Sequence, residues 1–270
     1  MTIEAGSEHV PLPAFFSITI PWSPMDESVY HLHYEQEEKH WWFAARSIIV
    51  RRIIEKYANL RPGDTILDIG CGTGAILKAL SEKYRVVGID MSPLAVEYSK
   101  KRGLTDVFQM SAEEFPAERY NVRAALLLDV IEHIDDDLSV LTRAREIVSP
   151  DGRVIITVPA YMWMWSAHDV LHHHKRRYSA RQLREVLDRA GLEPVKFTFY
   201  NTFLFPIGAA KKLIDRDKSA TIDSTKLDMP SPAMNTMLRA IFAAEKSIVP
   251  NMNLPFGISL LAVAKPKGAR

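Results

Sequence analysis

Two aspartates and three glycines have the spacing in this sequence that is best suited to chemistry. Asp68 lies within the apolar run TILDI, and Gly70, Gly72 and Gly74 separate that run from a helix-like run, AILKAL. A strand, a glycine-rich turn and a helix bring backbone N–H groups close to a ligand. Asp90 ends the next apolar run, about 20 residues beyond the first glycine, where an acid typically holds ribose hydroxyls. The pattern predicts a site for a nucleoside cofactor.

The glycine spacing indicates which cofactor. Dinucleotide sites use G-x-G-x-x-G, whereas this turn is G-x-G-x-G with Asp68 before it. That carboxylate would repel a pyrophosphate but could hold the ammonium of a methionine moiety, directly or through water. The stretch from Ile54 to Pro159 resembles the class I S-adenosylmethionine-dependent methyltransferases, whose first motif reads like LDIGCGTG. The resemblance implies S-adenosylmethionine as cofactor, S-adenosylhomocysteine as product, and contacts from Asp68, Gly70, Cys71, Gly72, Gly74, Asp90, Met91, Ser111, Ala112, Asp129 and Val130.

The composition narrows the classes of protein to which this chain can belong. The chain has 270 residues, 47% hydrophobic and 25% charged, with a formal net charge of +1. This balance predicts a globular protein with no general attraction to nucleic acid. The one cysteine, Cys71, excludes an internal disulfide and fits a reducing compartment. Without a secretory pattern or a long apolar run, we expect a cytoplasmic protein with no transmembrane segment.

Strand-like and helix-like runs alternate, which predicts an α/β fold: a Rossmann-like, doubly wound, mostly parallel sheet. The resemblance implies seven strands with the last antiparallel, an N-terminal helical segment and a helical cap insertion. We expect a lead-in and lid helix over residues 1–45, a cofactor-binding core over 46–200, the cap over 201–256 and the final strand over 257–270. The predicted strands are Thr65–Ile69, Arg85–Ile89, Asp106–Met110, Ala124–Leu128, Arg153–Val158, Pro194–Tyr200 and Gly257–Ala264. The predicted helices are a pattern over Asp26–Asn59, then Ala75–Lys83, Pro93–Lys101, Leu138–Val148, a helix capped by Ser179 and ended by Gly191, and Met237–Val249.

The end of the fourth predicted strand carries candidate catalytic residues. Its sequence, from Asp129 to His133, resembles the D-V-x-E-H element of the family. His133 is the natural general base because an imidazole titrates near neutral pH. The alternatives are that Glu132 and His133 only brace the next helix, or that Asp129, Glu132 and His133 hold a divalent metal. Ubiquinone-pathway and small-RNA 2′-O-methyltransferases use a similar cluster for a metal, and we expect no metal here.

An aromatic loop follows the fifth predicted strand and resembles the W-S-x-H-D…R-R-Y pattern of a subset of bacterial methyltransferases. Exposing its tryptophans to water would be costly, so we expect an acceptor pocket there. Trp165, His168 and Asp169 are predicted to line it, the last two as catalytic residues. Arg177 and Tyr178 are predicted to fix the loop or to contact the substrate. His172–His174 fit a solvated cluster better than a metal site.

Two further apolar segments have open assignments. Trp41 and Trp42 either anchor the N-terminal helix in the core or cover the cofactor and line the acceptor pocket. Phe203–Ile207, followed by Lys211 and Lys212, forms a pocket wall or core, and a peripheral membrane contact stays open.

The sequence therefore predicts an enzyme that transfers a methyl group from S-adenosylmethionine to a small or amphipathic acceptor. Oxygen is the favoured acceptor atom, with His133 as base. A carbon or nitrogen methyltransferase acting on a lipid or quinone-like acceptor is the enzymatic alternative. A cofactor-binding partner subunit without catalysis is the alternative of another class. A nicotinamide-dependent oxidoreductase and glycines that serve only packing are weaker alternatives. The oligomeric state is not predicted.

Overall fold

Apolar runs form one seven-stranded sheet in the computed structural model, which describes residues 27–214 and 229–268. The strands are β1 (Thr65–Ile69), β2 (Arg85–Asp90), β3 (Val107–Gln109), β4 (Val122–Leu128), β5 (Arg153–Pro159), β6 (Leu192–Tyr200) and β7 (Ser259–Pro266). Their order across the sheet is β3-β2-β1-β4-β5-β7-β6. β7 is antiparallel to both β5 and β6, while the pairs among β1 to β5 are parallel. The predicted fold class is confirmed.

The central strands are covered on both faces. Every residue of β1 and β4 is buried, which explains why both read as continuous apolar runs rather than alternating ones. Along β4, Leu126 packs in one hydrophobic cluster and Leu127 in another. Successive side chains of a strand point to opposite faces of the sheet, so the two clusters are its two faces.

Helices form both outer layers. Ile49, Ile53 and Phe242 belong to the cluster with Leu126, and Leu141 and Leu183 to the cluster with Leu127. The helices are α1 (Glu27–Gln36), α2 (Trp41–Tyr57), α3 (Ala75–Ser81), α4 (Pro93–Lys101), α5 (Asp137–Ile147), α6 (Ala167–Leu171), α7 (Ala180–Arg189), α8 (Phe205–Ile214) and α9 (Pro232–Ala244). Thus α2 and α9 cover one face, and α5 and α7 cover the other.

Local sequence explains where two of these helices begin. At α4 the Ser92 hydroxyl accepts a hydrogen bond from the Ala95 N–H (3.3 Å), and Pro93 occupies the first turn. At α7, Ser179 and Gln182 cap each other's backbone N–H groups. Both arrangements satisfy N–H groups that the helix cannot pair internally.

The structure shifts several predicted boundaries. The N-terminal helical pattern is divided into α1 and α2, and β3 is shorter than predicted. The helix predicted over Met237–Val249 begins earlier, at Pro232. Its α-helical part ends at Ala244, and a 3₁₀ turn continues it over Glu245–Ser247. It begins early because Ser231 caps it. It ends early because the Glu245 carboxylate, which is buried, accepts hydrogen bonds from the backbone N–H groups of residues 201–203.

Some predictions lie outside the described residues. They are the irregular lead-in over residues 1–24 and the polar middle of the cap, residues 215–228. Within the ranges that the structure does describe, no helix has both the length and the apolar character needed to cross a membrane.

Candidate active site

The glycine-rich turn follows β1, and its three glycines share a positive φ but differ in what surrounds them. Gly70 has φ of +74°, and a Cβ there would lie 2.8 Å from a Val130 methyl carbon. Gly74 has φ of +81°, and a Cβ would lie 2.5 Å from the Ser99 hydroxyl oxygen. Gly72 has φ of +55°, yet its Cβ position has no atom within 4 Å. Gly70 and Gly74 are therefore fixed by packing, while Gly72 faces open space.

Asp90, at the end of β2, is tied to this turn. Its two carboxylate oxygens accept hydrogen bonds from the backbone N–H groups of Gly72 and Ser92, each at 2.9 Å. Burial raises the pKa of Asp90. Tyr30 of α1 lies against it, and burial together with the Asp90 charge raises the pKa of Tyr30 to about 12. The acid predicted for ribose is therefore held in place below a side chain of the first helix.

Asp68 is buried at 2% exposure, and its Oδ1 atom has no hydrogen-bond partner among the described residues. Burial raises the pKa of Asp68 to about 7, although the nearby Arg46 guanidinium opposes this shift. Arg46 itself pairs with Asp129, Nη2 to Oδ2 at 2.5 Å, and donates to the Thr157 hydroxyl at 3.3 Å. Sequence reasoning missed Arg46.

A second arginine, Arg102, holds α1 over the glycine-rich turn. Its Nε donates to the Thr73 carbonyl (2.7 Å) and one Nη2–H to the Tyr34 carbonyl (2.8 Å). Its guanidinium also pairs with Glu37 and Glu38 at 3.3 and 2.6 Å. Its side chain is only 6% exposed. Glu37 in turn accepts a hydrogen bond from the Thr73 hydroxyl. These bonds fasten α1 to the glycine-rich turn. Because α1 lies in the segment predicted to be a lid, it is called the lid below.

The end of β4 turns sharply into the site. Asp129 has φ of +57°, an uncommon conformation for a residue other than glycine. Its N–H donates to the Thr157 carbonyl at 2.9 Å. Glu132 is completely buried, and neither carboxylate oxygen has a hydrogen-bond partner among the described residues. Burial and the Asp129 charge raise the pKa of Glu132 well above its usual value.

Five histidines meet beside this turn. The His33 ring of α1 stacks on His172 at 5.2 Å between centroids, His172 lies 4.0 Å from His168, and His133 lies 4.7 Å from His174. Burial and the His174 imidazole lower the pKa of His133 to about 3. His168 lies at the open side of the cluster, and the protein around its ring together with the His174 imidazole lowers its pKa to about 4. Both rings are therefore neutral at pH 7. The cluster joins the lid to the aromatic loop. Of the three histidines predicted to be solvated, His172–His174, only His173 is exposed, and His172 is buried because it packs against His33 and His168.

A cavity of about 1610 Å³ joins these parts. Its wall contains all the predicted cofactor residues except Gly74, which supports the turn from behind. Ser111 and Ala112 line it, but the Ser111 N–H donates to Glu114 at 2.8 Å and the Ala112 carbonyl accepts from Arg143 at 3.1 Å.

The predicted acceptor residues are divided by this wall. Those that line the cavity are Trp41, Trp42, His133, His168 and Arg177. Trp165, Asp169 and Tyr178 lie behind it, and the last two are 0% and 3% exposed. The Trp165 carbonyl accepts from Lys212 of α8, and the Tyr178 hydroxyl donates to Asp137 at 2.6 Å. The Tyr178 side chain is therefore directed toward α5, whereas for Trp165 the bond holds only the backbone of the loop.

The sheet order, the glycine-rich turn after β1 and the acid after β2 together define a class I S-adenosylmethionine-dependent methyltransferase. The orphaned Asp68 oxygen and the open space at Gly72 fit this cofactor, which is positively charged and needs close approach to the turn. The family model described as "Methyltransferase domain" matches residues 33–196, and the chain belongs to that family.

Individual relatives agree with this assignment. The chain is 29% identical to a ubiquinone biosynthesis O-methyltransferase of Dinoroseobacter shibae over 63% of its own length and 78% of the relative's. It is 36% identical to the enzyme of the same name from Azorhizobium caulinodans over 42% of its own length and 47% of the relative's. The relatives compared are matched over between 35% and 78% of their length. A solved S-adenosylmethionine-dependent methyltransferase from Archaeoglobus fulgidus shares the fold, with a TM-score of 0.54 at 19% identity, over 87% of this chain and 99% of that one.

Proposed function

We propose that this protein methylates an oxygen atom of a small or amphipathic acceptor. The observation that carries the proposal is the size of the cavity. At about 1610 Å³ it exceeds the roughly 300–1,000 Å³ of a pocket for one drug-sized ligand. It therefore has room for a second molecule beside the cofactor.

The walls of the cavity suggest what this molecule resembles. Trp41, Trp42, Phe43 and Ile48 of α2 contribute apolar surface, while His133 and its neighbours contribute polar groups. An acceptor with an apolar body and one reacting hydroxyl matches this division. The names of the two relatives support a phenol or quinone precursor of this kind. A lipid or quinone-like acceptor that is methylated at carbon or nitrogen would fit the same walls.

The chain needs to supply little chemistry itself. The methyl group of S-adenosylmethionine is bound to a sulfonium and is already activated, so positioning and removal of the acceptor proton remain. Asp68 and Asp90 would hold the cofactor's methionine and ribose ends, and Arg46 fixes Asp129 beside them. His133 is neutral at pH 7 and faces the cavity. Its low pKa in the empty site departs from the near-neutral titration expected from the sequence. The negative charge that develops on the acceptor oxygen beside it would raise that pKa as the hydroxyl proton is transferred.

The test is formation of S-adenosylhomocysteine during a screen of phenols, catechols and quinone precursors. His133→Ala should lower kcat about 10²-fold or more, the usual contribution of a general base, without weakening cofactor affinity. His31→Ala, on the exposed side of α1, is the matched control. An unchanged kcat in His133→Ala would remove it as the base. Cofactor binding without product from any acceptor would instead favour a non-catalytic partner subunit.

The second candidate function is O-methylation assisted by a divalent metal ion, and one observation favours it. Ligand atoms of Glu132, His133 and His174 lie within 4.8 Å of one another. This set differs from the Asp129, Glu132 and His133 considered from sequence, because Asp129 is paired with Arg46. A buried carboxylate without a partner is costly, and a divalent cation would satisfy Glu132. A cation there would lower the pKa of a bound acceptor hydroxyl.

Chelation separates the two versions. If the metal-assisted one holds, chelation should abolish turnover, added Mg²⁺ or Mn²⁺ should restore it, and Glu132→Gln should abolish the binding of Mn²⁺ measured by titration. Turnover that is insensitive to chelation, with no bound divalent metal, would leave His133 acting as base alone.

A further inference from the structure

Asp169 of α6 has the hydrogen-bond pattern of a residue that positions another group. It is completely buried and lies behind the cavity wall rather than in it. Two bonds come from Ser166 N–H (2.8 Å) and its hydroxyl (3.0 Å). The others come from His174 Nδ1 at 2.8 Å, Arg177 Nε at 2.7 Å and Arg177 Nη2 at 2.9 Å. No substrate can reach this carboxylate in the arrangement that the structure shows.

The Asp169 group is held as an anion. Both of its oxygens accept hydrogen bonds from the Arg177 guanidinium, from Nε at 2.7 Å and from Nη2 at 2.9 Å. A carboxylate only accepts hydrogen bonds. The nitrogen of His174 that faces it must therefore carry a proton. In a neutral imidazole, the other nitrogen, Nε2, then has the lone pair.

His174 is also fixed by its backbone and its ring. Its N–H donates to the Asp169 carbonyl at 2.8 Å, and the next residue, Lys175, donates its N–H to the Glu132 carbonyl at 2.8 Å. The ring packs edge-on against His133 at 4.7 Å between centroids. The loop thus carries His174 to the end of β4 and sets its orientation there.

We propose that Asp169, with Arg177, is a positioning residue that selects the Nδ1–H tautomer of His174 and leaves its Nε2 lone pair available to the group formed with Glu132 and His133. A carboxylate that accepts a hydrogen bond from one ring nitrogen commonly fixes the tautomer of a functional histidine. Arg177 neutralises the buried charge of Asp169 through two parallel bonds. This inference rests on the proposed function, because it gives His174 a part in the acceptor half of the site.

The experiment reads the tautomer directly. Protein labelled with ¹⁵N-histidine is examined by long-range ¹H–¹⁵N correlation at pH 7.5 without substrate. Wild type should show a protonated Nδ1 and an unprotonated Nε2 for His174. Asp169→Asn should shift this ring to the other tautomer, since an amide can present its N–H₂ to the ring. With an acceptor in hand, kcat should fall at least 10²-fold while cofactor affinity changes less than threefold.

Asp137→Asn is the matched control. Asp137 also braces the loop, through Tyr178 at 2.6 Å and Arg176 at 3.1 Å, but it does not contact His174 in any bond of the described residues. It should leave the His174 tautomer unchanged. If Asp169→Asn fails to fold because Arg177 is left unpaired, the double variant with Arg177→Gln removes both charges and is measured instead.

Two results would overturn the inference: a protonated Nε2 in wild type, or an unchanged tautomer in the Asp169 variants. Neither depends on turnover. If the tautomer behaves as expected but no acceptor is methylated, the proposed function fails while the positioning of His174 stands.

Discussion

Asp68 should make cofactor binding depend on pH between 5 and 7. Its carboxyl group is buried, and burial raises its pKa to about 7 in the protein without cofactor. If it holds the ammonium of the methionine moiety, the cation will favour the charged carboxylate. Binding must then expel a proton whenever Asp68 is protonated. An asparagine side chain does not titrate in this range, so Asp68→Asn should bind the cofactor without releasing this proton.

The sign and size of this pH dependence follow from the linkage between proton binding and cofactor binding. Below pH 7 the affinity should fall about tenfold for each unit of pH, or about 1.4 kcal/mol. Above pH 7 it should be flat until the cofactor amino group titrates, at about 7.7–8.0 for an α-amino group. Stability of the unliganded protein should change in the opposite direction. A raised carboxyl pKa means that the folded state binds the proton more tightly, so stability falls as pH rises from about 4 through 7.

The assay is calorimetric titration with S-adenosylhomocysteine from pH 5 to 7, in two buffers of different ionisation enthalpy to count released protons. Asp68→Asn should give a flat profile and melt at a higher temperature than wild type at pH 8. Asp64→Asn is the control, since Asp64 is also buried but bonds Arg61 and Asn121 at the start of β1. A flat wild-type profile, or a slope that persists in Asp68→Asn, would refute the reasoning. In the second case Glu37 or Asp90, whose pKa values burial also raises, would carry the effect.

Two other predictions concern the turn and the lid. Gly72→Leu should weaken cofactor binding at least 100-fold, about 2.7 kcal/mol. Its side chain would enter the open part of the cavity, where the cofactor is expected to bind. Gly103→Leu shares a positive φ (+85°) with only the Lys78 amino group near its Cβ (3.7 Å). Each variant should lose about 1–2 kcal/mol of stability because leucine is strained at a positive φ, but Gly103→Leu should keep its affinity for the cofactor. Equal losses of affinity in both variants would contradict the role of Gly72. Arg102→Met should release α1, raising amide hydrogen exchange over residues 27–36 and speeding cofactor dissociation, whereas unchanged exchange would show that Arg102 is not the fastening.

The cofactor half of the site was predictable because its signals are local. The turn residues, Asp90 and the end of β4 each follow a strand directly, so strand order alone brings them together. Arg46 and Arg102 escaped prediction for the opposite reason. Their partners Asp129 and Glu37 lie far away in the chain, and an arginine on a helix gives no sign of which acid it will meet. Such pairs become visible only when the helices are packed.

The aromatic loop shows a different limit. Its tryptophans predicted an acceptor pocket, but Trp163 is 49% exposed, and neither Trp163 nor Trp165 lines the cavity. Histidines of the loop line it instead. Asp169 and Arg177 bind each other because a buried carboxylate needs a partner. That pairing draws Asp169 behind the wall and leaves the neighbouring histidines in front. The residue types therefore indicated which chemical groups this loop carries. The direction of its charged side chains depended on the pairing of Asp169 with Arg177, which the sequence did not show.

The lid connects the two halves of the site. Tyr30 and His33 lie three positions apart on α1 and so share one face of the helix. Tyr30 lies against Asp90 on the cofactor side, while the His33 ring stacks on His172 of the aromatic loop. Arg102 fastens the same segment to the glycine-rich turn. Because one short helix contacts both sides, a displacement of α1 would open the cofactor turn and loosen the histidine cluster together. We therefore expect the order of the histidine cluster to depend on the position of α1.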